Sequence, residues 1–134
     1  MSTIKTTTLS TQGGSTVPVD TVVNGTAKAW VNFNGNGTVS IRRAFNVSSI
    51  TDNGNGDYSI NFTVSMVDAN YSMCHGGGSF NDGVNDNNIF LFGPRRGTVD
   101  PFTTTSARVN AAYRAVGATS QFNDPSLATL AFFS

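Results

Sequence analysis

Apolar and polar residues alternate with a two-residue period through residues 25 to 66, GTAKAWVNFNGNGTVSIRRAFNVSSITDNGNGDYSINFTVSM. Ala29, Val31 and Phe33 share one parity, and Lys28, Trp30 and Asn32 take the other. Val39, Ile41, Phe45 and Val47 make a second apolar row, which Arg43 interrupts. Tyr58, Ile60, Phe62, Val64 and Met66 make a third, opposed by Ser59, Asn61, Thr63 and Ser65. Side chains of a strand point alternately to its two faces, so this period predicts three strands, each with one buried face. The intervening Asn34-Gly35-Asn36-Gly37 and Asp52-Asn53-Gly54-Asn55-Gly56-Asp57 are rich in residues that accept positive φ, as tight reversals require. The prediction is an antiparallel meander.

Further strands are predicted beyond it. Tyr71 to His75 reads as a fourth, with Tyr71, Met73 and His75 on one face, and Gly76-Gly77-Gly78 opens a long loop. Ile89 to Phe92 reads as a short buried strand, closed by a turn at Gly93-Pro94-Arg95-Arg96-Gly97. Pro101 restricts residues 98 to 105 to an edge or a loop. Residues 106 to 116 carry two patterns. Ala107, Val109, Ala111, Tyr113 and Ala115 alternate as in a strand, whereas Ser106 as a cap with Val109, Ala112, Tyr113 and Val116 fits a helix. The strand is preferred because its alternation is cleaner and its neighbours are β. Leu127 to Phe133 is a terminal strand. Seven to nine short, evenly spaced strands predict an all-β fold, an antiparallel β-sandwich or jelly roll over residues 25–134. Residues 1–24, rich in Thr, Ser and Gly and interrupted by Pro18, form an extended polar N-terminal arm. It is either a loose terminus or a segment that orders on a neighbouring subunit, with Val17, Val19, Val22 and Val23 available for burial.

Composition narrows the function. Charged residues are 12% of the chain, against roughly 25% in an average soluble domain. There is no Glu, and Lys5 and Lys28 are the only lysines. Charge is one of the usual guards of a sheet edge, so so few charges predict edges hidden in an oligomer. The net charge of zero, with basic doublets only at Arg42-Arg43 and Arg95-Arg96, argues against a nucleic-acid partner. No segment approaches the ~20 apolar residues of a membrane span, and residues 1–24 lack the apolar stretch of a signal peptide. Cys74 is the single cysteine, so no internal disulfide forms.

Candidate chemistry is sparse. Cys74 and His75 are adjacent, so on a strand they face opposite ways and make no dyad; they also fall short of a metal-ligand set. Most aspartates (Asp52, Asp57, Asp68, Asp82 and Asp86) sit in turn segments next to Gly or Asn or, for Asp68, two residues before Asn70, where turn formation explains them without carboxylate catalysis. The expectation is a protein that is not an enzyme and holds no cofactor. The oxygen-rich loop from Asp82 to Asn88 is a poor match to a calcium loop, lacking an acidic residue to close it, but is a natural contact surface. Trp30, outside the apolar row, and Arg43, within one, are candidate subunit or partner contacts, as are Asp82, Asp86, Arg95 and Arg96.

The stretch GTAKAWVNFNGNGTVSI, followed by FNVSSITDNGNGDYSINFT and MVDANY, resembles a module of tailed-bacteriophage virion proteins. The module is found in tail fibres and appendages, notably of phages infecting cyanobacteria and other aquatic bacteria. The resemblance spans Gly25 to Tyr71 and loosens toward Ser126–Phe133. It implies a structural or binding role on the virion surface, commonly as a homotrimer made in the host cytoplasm, with no catalytic residues. Tail-fibre chains carry long shafts before such a module, whereas here residues 1–24 precede it. The expected function is therefore a capsid decoration, or cement, protein that bridges subunits of the major capsid protein. The alternative is a tail-associated protein that recognises a host surface glycan through residues 76–88 and 93–105.

Overall fold

The structure, a computed structural model, describes residues 2–79, 89–95, 97, 100–114 and 121–134. The N-terminal segment holds a small hairpin of β1 (Thr8–Ser10) and β2 (Thr16–Pro18), then a two-turn helix α1 (Val19–Gly25). One sheet has the order β4-β3-β11-β7, from β3 (Ala29–Asn34), β4 (Ser40–Phe45), β7 (Ser72–Ser79) and β11 (Leu127–Phe133). The other is built on β5 (Val47–Gly54), β6 (Asp57–Phe62), β8 (Ile89–Pro94), β9 (Ser106–Arg114) and β10 (Gln121–Phe122). In it β6 and β10 follow one another along one edge of β9, and β8 takes the other edge. All pairings are antiparallel, and the two sheets form the expected all-β sandwich.

The period-two rows make the core. Ala29, Val31 and Phe33 of β3 and Ala128, Leu130 and Phe132 of β11 face Tyr58, Ile60 and Phe62 of β6 and Ala107, Val109 and Ala111 of β9, all buried. Large residues stand opposite small ones in the register: Ala29 pairs Phe132, Phe33 pairs Ala128, and Ile60 pairs Ala107. This keeps the layer evenly filled, as close packing demands. Edge-to-face pairs cross the layer between Phe33 and Tyr58 (centroids 5.3 Å apart) and between Phe62 and Phe132 (5.2 Å), each contributing about 0.5–1.5 kcal/mol beyond burial.

Several boundaries differ from the sequence expectation. The meander is two hairpins, β3–β4 in one sheet and β5–β6 in the other, joined at Asn46. Asn46 has φ 53°, and its side chain donates to the carbonyls of Lys28 and Val64 and accepts from the Val64 amide. The polar run Ser48–Asn53 is thus a strand of its own. In β4, Arg43 pairs Asn32 but Ile41 pairs Phe33, so Arg42 is an inserted bulge residue. The bulge reverses the parity, and Phe45 lies on the outer face, 55% exposed, rather than in a row with Ile41. The third row ends at Phe62: Val64 is 67% exposed, and Met66 turns back into the core. The glycines at 76–78 continue β7 instead of opening a loop, and β8 runs on through Gly93-Pro94. Ser106–Arg114 is a strand, so the helical reading fails over those residues; residues 115 and 116 lie outside the described ones.

Candidate functional site

Three features outside the core concentrate chemistry. The first is the N-terminal segment. Leu9 and Val17 are register partners in the β1–β2 hairpin, yet they remain 49% and 42% exposed. No residue of α1 is buried, and Val22 and Val23 are exposed alongside Ile4. Of the arm's valines, Val19 is half-buried, whereas Val17, Val22 and Val23 stay exposed within the chain. Lys28 ties the end of the helix to the sandwich by donating Nζ to the Val23 and Thr26 carbonyls.

The second is an ion-pair cluster on the outer face of the second sheet. Asp57 accepts from Arg108 Nε (3.0 Å) and Nη2 (2.9 Å) and from Arg95 Nε (2.9 Å). Arg95 also donates Nη1 to Asn110 Oδ1 and lies 5.7 Å from the Phe122 ring centroid. Asn110 Nδ2 closes the cluster on the Gly56 carbonyl. The Arg108 guanidinium, aided by Arg95, holds the Asp57 carboxyl below its ordinary value against the opposing effect of burial. Two cations share one buried carboxylate, so the cluster is a clamp between β6, β8 and β9. Of the expected contact residues, Arg95 is thus committed to this clamp. Asp57, Arg108 and Asn110 were missed, because the flanking glycines made Asp57 read as a turn aspartate. The signal available was the polar parity of Arg108 and Asn110 in the alternating run after Ser106.

The third is the outer face of the first sheet. The register sets two rows across four strands: Phe45, Trp30, Ala131 and Cys74, then Arg43, Asn32, Thr129 and Gly76. Bulk falls from β3 to β11 and β7, leaving an open groove of about 460 Å³ lined by Trp30, Asn32, Thr129, Ala131, Cys74 and Gly76. An added Cβ at Gly76 would meet Thr129 Oγ1 and force that hydroxyl to shift. Trp30 and Arg43, chosen from sequence, thus come onto one face. Cys74 opens to this face, while the His75 ring lies 5.8 Å from that of Phe92 on the other side of β7, so the two assemble no dyad.

Asp82, Asp86, Arg96 and the calcium reading of the Asp82–Asn88 loop lie outside the described residues. Among the described residues, no group of three or more His, Cys, Asp or Glu is placed to hold a metal ion, and no helix is long and apolar enough to cross a membrane. No family model, curated protein or solved structure matches this chain.

Proposed function

We propose that this protein is a non-enzymatic structural component of a tailed-bacteriophage virion, a head decoration protein that seats its N-terminal segment on the shell and bridges neighbouring capsid subunits. The observation that carries the reading is the uncovered Leu9–Val17 pair. A two-stranded hairpin with no third layer is marginal in water, and exposed Ile4, Val22 and Val23 extend the same need for a partner. The sandwich fills its own core, whereas the segment has no buried core of its own. The sequence resemblance supplies the virion setting, and the low charge is consistent with edges covered in a homotrimer.

The test adds the full chain to expanded heads assembled without it. Saturable binding and a higher disruption temperature of the heads are expected. The double variant Leu9→Asp, Val17→Asp should keep the sandwich's thermal midpoint and lose head binding. Heads that neither bind the chain nor gain heat resistance would refute the reading.

A further inference from the structure

The groove on the outer face of the first sheet has the chemistry of a saccharide site, and we infer that it binds a hexopyranose unit of a polysaccharide. This goes beyond the decoration reading and does not depend on it.

A pyranose offers an apolar face of C–H groups and a rim of hydroxyls that both donate and accept. A site for it needs an aromatic surface beside a few fixed polar groups over a floor low enough to admit the ring. Trp30 supplies the aromatic surface from a central strand, where the flanking β4 and β11 fix its backbone. One row along, the Asn32 side chain carries two donors and an acceptor, and its register partner Thr129 carries a hydroxyl. Among the described residues, Asn32 Nδ2, Thr129 Oγ1 and the Trp30 indole N–H make no hydrogen bond within the chain. Asn32 Oδ1 receives only a long 3.5 Å contact from Arg42. The floor is Ala131, Cys74 and Gly76, and the lack of side-chain bulk there is what opens the groove. Its volume of about 460 Å³ lies within the range of small-molecule sites, about 300–1,000 Å³. None of the eight residues in the two rows carries a carboxylate.

The chain reports on this site directly, because Trp30 is its only tryptophan and Cys74 its only cysteine. The full-length protein is titrated with maltopentaose, cellopentaose, laminaripentaose, mannopentaose and chitopentaose while tryptophan emission is followed. At least one sugar should give a saturable change, and the same sugar should slow alkylation of Cys74 by iodoacetamide. Thr129→Val, which keeps the β-branched shape and removes the hydroxyl, should weaken binding about tenfold, as should Asn32→Ala, with the thermal midpoint unchanged. Trp30→Ala should abolish binding measured by calorimetry. The inference is overturned if no sugar gives a saturable change up to ~10 mM, ten times a millimolar Kd. It is equally overturned if binding leaves the alkylation rate of Cys74 unchanged. Emission that follows protein concentration instead of sugar would also overturn it, since a second copy would then occupy the groove.

Discussion

The Tyr58 hydroxyl donates to Asp124 Oδ1 at 2.5 Å, and the same carboxylate oxygen accepts from the Gly56 amide at 2.8 Å. One oxygen thereby pins the β5–β6 turn to the segment that leads into β11, in the other sheet. The β3–β4 turn joins this seam through Gly35, whose amide donates to the Pro125 carbonyl and where an added Cβ would lie 2.5 Å from the Tyr58 hydroxyl. Tyr58→Phe leaves the ring packing in place and removes the bond, so it should cost about 1–2 kcal/mol in urea unfolding. Gly35→Ala should cost about 1–3 kcal/mol by overpacking. Added to Tyr58→Phe, the alanine should cost measurably less, because the atom it meets most closely is gone. Full additivity of the two would contradict the geometry.

Asp57 links acid stability to the arginine clamp. Its carboxyl titrates in the folded protein below the ordinary 3.8, so the folded state binds that proton less readily than the unfolded chain. The contribution is therefore complete above pH ~4 and is lost as pH falls through the depressed folded value. Asp57→Asn should lower stability at pH 7 by about 1–2 kcal/mol through loss of the charge-assisted bonds. The gap between variant and wild type should close as pH drops below ~4. A gap independent of pH would mean that the carboxylate charge is not what holds Arg95 and Arg108.

The core was legible in the sequence because burial on one face imposes a two-residue period directly. Phe33, Ile60, Val109 and Leu130 all stand where alternation places them. The bulge at Arg42 and the corner at Asn46 were not legible, because each is decided by pairing with distant strands. Arg42 donates to the Phe33 and Ser126 carbonyls, and Asn46 bonds the ends of two other runs. Of the candidate surface, Trp30 and Arg43 were visible as polar-face or row-breaking residues. The groove beside them was not, since it arises from Ala131, Cys74 and Gly76 lying side by side only once β7 and β11 pair.

Alkaline titration should separate the buried tyrosines from a freely ionising phenol. Burial pushes Tyr71 up to about 12, and Tyr58 is raised from 10 by burial and by its bond to Asp124. Both groups favour the neutral form when folded. Their contribution is full below pH ~10 and declines as pH rises toward the folded values. Phenolate absorbance should show Tyr58 and Tyr71 silent up to pH ~11 and then ionising together with loss of the near-ultraviolet circular dichroism. Tyr71→Phe should move that alkaline transition, because its phenol would no longer draw the equilibrium toward the unfolded chain. Ionisation of both groups near pH 10 with the fold intact would show that neither phenol is held by burial.

Asn46 performs two tasks that substitutions can separate. It takes φ 53°, which disfavours most side chains, and its amide joins β3, β4 and the end of β6 through Lys28, Val64 and their neighbours. Asn46→Gly keeps the backbone conformation at no steric cost and removes the bonds; Asn46→Ala removes the bonds and adds the strain of a left-handed alanine. The glycine variant should lose about 1–2 kcal/mol in denaturant unfolding, and alanine about 1 kcal/mol more. If alanine proves as stable as glycine, the backbone there is not held left-handed, and the crossing of β4 into β5 must be fixed by other residues. If both match the wild type, the amide bonds contribute nothing, and the two hairpins are held together by core packing and by the seam at Tyr58 and Gly35.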